Sequence, residues 1–374
     1  MYECPMVPLP TSDIFARRRL ALTAVTAADI AWPDDAFTAF LRQTSGAEQE
    51  NFAAYLATQG LAGHWLVRLR QNSAMEQSNL FTILQQREKP DAMCYLGQQR
   101  AIAIAEERFS KRGIPYAVMK GAHVRELLYP NPAIRPAVDV DILIARQDRF
   151  KAVEILAGAG FAAQVNPATV SHEVSLTDTI STIDLHWDVL RPGRVHASLA
   201  KGMLERRGRC QNFFALSPQD ELFLLLFHPV FTKYLTAPHA RLVGVADLFL
   251  WGKNLTIDWD KICRLCVRYR LTTAAWLVAS YVRLLTDSHT FDDFITLMRP
   301  SAMKAAWLDR WLRQDYSSRF LRRPNFIKLL FTLPAHDRYG DALRFLISRW
   351  AEWQKIEAEY RYFKQVIEAA ARNQ

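Results

Sequence analysis

The stretch MKGAHVRELLYPNPAIRPAVDVDILI, residues 119–144, decides how this 374-residue chain is interpreted. Its last seven residues are apolar except for Asp139 and Asp141, and they predict a β-strand. Because side chains alternate between the two faces of a strand, both carboxylates lie on one face. Two acids on one partly buried face repel each other unless a cation lies between them. The pattern predicts a divalent-cation site, with surface acids or an ion pair between Arg135 and Asp139 as the alternatives.

A third acid, Asp184, lies in the apolar stretch STIDLHW, residues 181–187, which also predicts a strand. We expect Mg²⁺ or Mn²⁺, because the candidate ligands are carboxylate oxygens without a cluster of His or Cys nearby. Three acids from two strands suit metal-assisted phosphoryl or nucleotidyl transfer, in which one carboxylate holds a second metal or accepts a proton. Asp139, Asp141 and Asp184 are therefore the predicted catalytic and metal-binding residues.

Lys120 and Gly121 lie where a predicted strand, YAVM, meets a predicted helix. A glycine lets backbone amides approach phosphate oxygens, a helix N-terminus favours negative charge, and the lysine adds a cation. We predict that Lys120, Gly121 and Arg135 bind phosphate, although Lys120 also fits an ordinary solvated lysine. His172 and His186 are candidate substrate contacts, because imidazole can relay a proton near a phosphate.

Short apolar runs broken by turns predict five strands between residues 116 and 187, with helices between the first three. Helical periodicity precedes this region and follows it almost to the end of the chain. The predicted fold class is α+β, a small mixed β-sheet core flanked by helical domains. We place an N-terminal helical region at 1–95, the core at 96–215 and a C-terminal helical domain at 216–374.

The chain carries a formal net charge of +9 and five cysteines. This charge is modest for the length, so it is compatible with nucleic acid but does not require it. The odd, scattered cysteines disfavour a disulfide framework, and Cys263 and Cys266 have no second pair that would complete a zinc site. No apolar run approaches the roughly 20 residues of a membrane span, and we expect a cytoplasmic protein without a membrane partner.

At this point the sequence resembles the nucleotidyltransferase superfamily that includes DNA polymerase β and kanamycin nucleotidyltransferase. It looks most like a poorly characterised bacterial branch with a Lys-Gly, a Tyr-Pro turn, an Arg, an Asp-x-Asp strand and an Asp-Leu-His-Trp strand. Here these motifs are Lys120-Gly121, Tyr129-Pro130, Arg135, Asp139-Val140-Asp141 and Asp184-Leu185-His186-Trp187. The resemblance covers roughly residues 114–285, and it continues more weakly through His172 and Asp247.

The resemblance implies Mg²⁺-dependent transfer of a nucleoside monophosphate from a nucleoside triphosphate, with ATP the expected donor and pyrophosphate released. The acceptor is open: a small molecule, a peptide or natural-product intermediate, or a protein. Well-studied members of the superfamily carry Gly-Ser where this chain has Lys-Gly, so one alternative is a catalytically silent nucleotide sensor or scaffold. Another is RNA-directed nucleotide addition by the basic C-terminal helices, whose Trp307 and Trp311 would stack on bases.

Overall fold

The structure, a computed structural model, describes residues 24–25, 34–71, 76–164, 170–235, 240–286, 288–351 and 353–372. Helices come first along the chain, as the sequence predicts. They are α1 (Asp34–Gln43), α2 (Gly46–Gln59), α3 (Ala62–Arg70) and α4 (Asn79–Arg112). Ser78 caps the N-terminus of α4 by accepting a hydrogen bond from the Phe81 amide, and Gly113 ends the helix in the left-handed conformation. The predicted boundary at 95/96 lies inside α4, and the one at 215/216 lies between a strand and a helix.

Seven strands of the described residues form one mixed sheet in the order β3-β4-β5-β2-β1-β7-β6. The strands are β1 (Tyr116–Met119), β2 (Val140–Ile144), β3 (Ala162–Gln164), β4 (Glu173–Thr177), β5 (Thr182–His186), β6 (Gly208–Cys210) and β7 (Phe213–Ala215). The five predicted strands are all present, and the mixed α+β class with helical flanks is confirmed. β6 and β7, of three residues each, were not predicted from the sequence.

Helices between and after the strands connect and cover this sheet. α5 (Lys120–Leu128) follows β1 directly, α6 (Arg149–Ala157) joins β2 to β3, and α7 (Ala200–Glu205) precedes β6. The C-terminal helices are α8 (Pro218–Lys233), α9 (Val243–Asn254), α10 (Trp259–Tyr269), α11 (Thr272–Leu285), α12 (Asp292–Leu297), α13 (Ala302–Arg313), α14 (Tyr316–Arg319), α15 (Pro324–Ile327), α16 (Tyr339–Ala351) and α17 (Trp353–Arg372). A π-helical segment, Lys328–Thr332, follows α15.

The two faces of the sheet belong to different hydrophobic clusters. Val140 and Ile142 of β2 pack in one cluster with the second half of α4, while Leu143 packs in the other with the C-terminal helices. The chain returns to the first face at α17, where the Phe363 ring stacks on Trp187 at a centroid distance of 5.4 Å. Asp141 and Leu143 project from the same face of the sheet, and this face packs against the C-terminal helices.

Other sequence predictions concern the C-terminal helices. Cys266 is buried and Cys263 half-buried on α10, both as free thiols, in agreement with a packing role. Trp311 is fully buried, so its ring is not accessible for stacking on a base. Trp307 is 39% exposed, and its indole N–H donates to the Leu330 carbonyl at 2.8 Å. Within the described ranges, no helix has both the length and the apolar character needed to cross a membrane.

Candidate active site

The predicted acids meet on the face of the sheet that looks toward the C-terminal helices. β2 and β5 run parallel, and their register places Asp141 directly opposite Asp184. Asp139 lies one residue before β2 rather than inside it, which corrects the predicted strand boundary. All three carboxylates line one cavity.

β4 supports these acids from the neighbouring position in the sheet. Its antiparallel register pairs Ser175 with Asp184 and Glu173 with His186. The Ser175 hydroxyl donates a hydrogen bond to Asp184 Oδ1 at 2.6 Å. Glu173 Oε2 lies 3.2 Å from His186 Nδ1 and 3.3 Å from His172 Nε2. Each polar residue of β5 thus has a polar neighbour on β4 that restricts its orientation.

Lys120 begins α5 in the left-handed region, with φ of 54°. Its ammonium group lies 2.7 Å from Asp141 Oδ1 and 3.5 Å from His186 Nε2. Its backbone N–H donates to Oε1 of the buried Glu221 on α8 at 2.8 Å, and Glu221 Oε2 lies 2.8 Å from His123 Nδ1. A carboxylate from the C-terminal helices therefore fixes the β1–α5 junction on which Lys120 stands.

The electrostatics of this face show an excess of negative charge. Burial and the neighbouring carboxylates of Asp141 and Asp184 raise the pKa of Asp139 to about 8. Burial alone would raise the pKa of Asp141 and lower that of Lys120, but their mutual attraction lowers the pKa of Asp141 and raises the pKa of Lys120. One ammonium group thus stabilises one carboxylate, and Asp139 is left in a field that disfavours its charge.

Arg135 is engaged with Asp247 of α9 rather than with Asp139. Its Nη2 donates to Asp247 Oδ2 at 2.6 Å and its Nε to Oδ1 at 3.3 Å, and both side chains are buried. Tyr129 also donates to Asp247 Oδ1, at 2.7 Å. A Cβ atom on Gly121 would lie 2.5 Å from Arg135 Nη1, so the glycine makes room for this guanidinium group. The geometry explains Gly121 by packing, independently of any bound phosphate.

A cavity of about 480 Å³ lies in front of the acidic face. Its opposite wall comes from α8, α9 and α11, where the apolar residues include Leu225 and Val278. Basic side chains line the same cavity as the acids: Lys120, Arg135, Arg191, Arg194, Lys233 and Arg241. A cavity with both carboxylates and basic groups suits a polyphosphate that carries a divalent cation, because the cation bridges carboxylates to phosphate oxygens.

Asp141, Asp184 and His186 form the group of residues best arranged to hold such a cation. Each offers one ligand atom, and these three atoms lie within 4.8 Å of one another. Two carboxylates and an imidazole are an ordinary donor set for a divalent metal in proteins. The residues present, together with the raised pKa of Asp139, therefore fit a bound divalent cation.

Residues 45–287 match the family described as uncharacterised nucleotidyltransferase. The chain belongs to this family. The match begins at residue 45, so it includes α3 and α4 and extends further toward the N-terminus than the resemblance based on motifs. No curated protein and no solved structure matches the chain. Membership of the family supports a nucleotidyltransferase role and implies a nucleoside triphosphate and a divalent metal in general terms.

The structure brings every predicted site residue to the same cavity. Its lining includes Lys120, Gly121, Arg135, Asp139, Asp141, His172, Asp184 and His186. Sequence reasoning missed other residues that line it, above all Glu173, His228 and Lys233. Glu173 had a signal, because it alternates with Ser175 on one face of a predicted strand, but its partner on β5 depends on strand pairing. His228 and Lys233 reach the cavity only through the packing of α8.

Proposed function

We propose that this protein is a divalent-metal-dependent nucleotidyltransferase. It transfers a nucleoside monophosphate from a nucleoside triphosphate, with ATP as the first candidate, to a hydroxyl or similar acceptor and releases pyrophosphate. The observation that carries the proposal is the meeting of Asp139, Asp141 and Asp184 in one cavity that basic side chains also line. This arrangement fits the activity that the family implies.

In the proposed reaction, an acceptor oxygen attacks the α-phosphorus of the triphosphate. A bond forms between these two atoms, and the bond from the α-phosphorus to the bridging oxygen breaks. Pyrophosphate leaves with that oxygen, and the acceptor's proton passes to a carboxylate or to water. A bound divalent cation supplies charge neutralisation at the phosphate oxygens and orients the two reactants.

The protein residues have separate roles in this proposal. Asp139, Asp141 and Asp184 hold the metal, and Asp184, which accepts a hydrogen bond from Ser175 at Oδ1, is also the candidate base. Lys120 contacts the triphosphate after it turns from Asp141, to which it is now bound at 2.7 Å. Lys233 acts electrostatically on Asp139 and is suitably placed for the phosphates.

Phosphate binding by Arg135 stays a prediction. Its guanidinium group is committed to Asp247, so a phosphate contact requires either the remaining Nη1 or a rearrangement of a buried ion pair. Nη1 donates to the Pro136 carbonyl at 3.2 Å. The acceptor also stays open, because the fold and the carboxylates are common to transferases with many acceptors.

The test is pyrophosphate release from each nucleoside triphosphate with Mg²⁺ or Mn²⁺, in the presence of a cell extract as a source of acceptors. We compare the wild type with Asp139→Asn, and with Asp309→Asn as a control in which the same chemical change is made at an exposed site on α13. Release that is lost only in Asp139→Asn supports the proposal. Asp139→Asn is expected to keep or raise the melting temperature, because it removes repulsion from Asp141 and Asp184.

Two results contradict the proposal. Equal pyrophosphate release by the wild type and Asp139→Asn removes the carboxylates from the chemistry. Metal-dependent nucleotide binding without any release favours a catalytically silent sensor or scaffold. RNA-directed addition has its own mark, a steep loss of affinity as salt rises, because each phosphate contact releases counterions.

A further inference from the structure

His186 places an imidazole nitrogen among the carboxylates of the candidate metal site, where a site built from carboxylates alone would have an oxygen ligand. It follows Asp184 by two residues on β5, so both side chains project from the same face of the strand. The parallel register pairs His186 with Leu143, two residues along each strand from the Asp141–Asp184 pair. Its Nε2 lies 2.7 Å from Asp141 Oδ1, and its side chain is 2% exposed. His186 is the last residue of β5, and its imidazole lies inside the acidic patch.

The other ring nitrogen has the environment that a metal-binding histidine requires. Nδ1 is buried and lies 3.2 Å from Glu173 Oε2, without the alignment of a hydrogen bond. Nε2 itself lies 2.7 Å from Asp141 Oδ1, so a metal ion that binds both atoms replaces the proton between them, while the Glu173 carboxylate favours a proton on Nδ1. Histidine ligands of metals almost always have such a carboxylate or carbonyl partner on the second nitrogen. The register of β4 supplies this carboxylate to His186, just as it supplies Ser175 to Asp184.

A positive charge already stands next to the candidate donor atoms. The Lys120 ammonium lies 2.7 Å from Asp141 Oδ1 and 3.5 Å from His186 Nε2. A metal bound to both atoms competes with this ammonium for the same oxygen. This position therefore attracts cations, and the Lys120 ammonium affects how strongly a metal ion binds there.

We infer that His186 Nε2 is a metal ligand beside Asp141 and Asp184, and that the site consequently prefers a first-row transition cation such as Mn²⁺ to Mg²⁺. Mg²⁺ favours oxygen ligands, whereas an imidazole nitrogen adds affinity for first-row transition ions. The inference rests on the proposed function only in taking this cavity to bind a divalent cation. It also revises the expectation of Mg²⁺ or Mn²⁺ that was drawn from carboxylate ligands, and the Mg²⁺ dependence that the resemblance implies.

Electron spin-echo spectroscopy of Mn²⁺ bound to the wild-type protein, without nucleotide, tests the ligand directly. We expect coupling between Mn²⁺ and an imidazole ¹⁴N nucleus, and we expect His186→Asn to abolish it. His228→Asn is the matched control, because it makes the same change on α8 in the same cavity. Bound Mn²⁺ without nitrogen coupling in the wild type, or coupling that persists in His186→Asn, overturns the assignment. The wild-type spectrum stands even where a variant fails to fold.

Titration of free Mn²⁺ by electron paramagnetic resonance, with Mg²⁺ as competitor, tests the preference. His186→Asn is expected to weaken Mn²⁺ binding by about tenfold or more, and Glu173→Gln by about 10- to 100-fold, as partners of metal ligands do. Lys120→Met is expected to strengthen Mn²⁺ binding, because it removes the competing ammonium. Displacement of Mn²⁺ by an equal concentration of Mg²⁺ from the wild type contradicts the preference.

These readouts separate this inference from the proposed function. Nitrogen-coupled Mn²⁺ without pyrophosphate release keeps the metal site and rejects the transferase. Pyrophosphate release with Mn²⁺ that shows no nitrogen coupling keeps the transferase and rejects His186 as a ligand.

Discussion

Asp247→Ala removes the carboxylate that holds Arg135, and we expect it to be among the most destabilising single changes at the cleft. Asp247 is fully buried and accepts hydrogen bonds from Arg135 Nη2 at 2.6 Å, from Arg135 Nε at 3.3 Å and from Tyr129 at 2.7 Å. Without it, a guanidinium group that is 8% exposed is left buried without its counter-ion. Breaking a buried pair in this way costs about 3–5 kcal/mol of the free energy of unfolding.

A double-mutant cycle, measured by urea denaturation, separates this pair from general packing. Arg135→Ala also loses the pair, but the double variant leaves no isolated charge behind. We therefore expect the double variant to be more stable than the sum of the single losses predicts, by about 2 kcal/mol or more. Losses that add to within about 0.5 kcal/mol would refute the reasoning.

The same variants decide between two roles for Arg135. A structural role predicts that Asp247→Asn weakens triphosphate binding about as much as Arg135→Ala, because both loosen the loop before β2. A direct phosphate contact predicts that Arg135→Ala abolishes triphosphate affinity while Asp247→Asn retains it. Calorimetry without urea, at a temperature well below the unfolding transition, measures the triphosphate affinity of both variants.

Three further outcomes are expected. Gly121→Ala should lower the free energy of unfolding by about 1–3 kcal/mol, since its Cβ would lie 2.5 Å from Arg135 Nη1, and unchanged urea denaturation contradicts this contact. Burial lowers the pKa of His123, but contacts with Cys210 and Glu221 outweigh it and raise this pKa to about 9. The charged His123 stabilises the fold by about 3 kcal/mol; this contribution is complete below about pH 6.5 and is lost as the pH rises through 9. In His123→Gln, the urea midpoint should therefore depend less on pH across this window. Cys263→Ser should leave activity and metal content unchanged. A large loss of bound metal, measured by mass spectrometry, would instead support a zinc site at Cys263 and Cys266.

Local patterns were sufficient to predict most of the sheet, because each of the five predicted strands alternates or is bounded by turn residues. Asp139 was predicted inside the strand, but the strand begins one residue later, at Val140, and Asp139 lines the same cavity as Asp141. β6 and β7 contain three residues each and carry no comparable pattern.

Partners distant in sequence could not be predicted in the same way. Arg135 was weighed as a partner of nearby Asp139, but its carboxylate comes from Asp247, 112 residues later. Glu173 was passed over because nothing in the sequence pairs it with His186, while the antiparallel register of β4 and β5 does. Sequence reasoning therefore selected residues that the structure brings to one cavity, and it missed the contacts that orient them.

The orienting contacts explain why the C-terminal helices belong to the site and do more than cover it. Glu221 of α8 accepts from the backbone of Lys120, and Asp247 of α9 holds Arg135 in the segment that leads into β2. One carboxylate thus fixes the junction that carries the ammonium, and the other fixes the segment that leads to the first acid. A shift of α8 and α9 would therefore move both Lys120 and the segment that carries Asp139. The shape and the charges of the cleft thus depend on one set of buried hydrogen bonds and ion pairs.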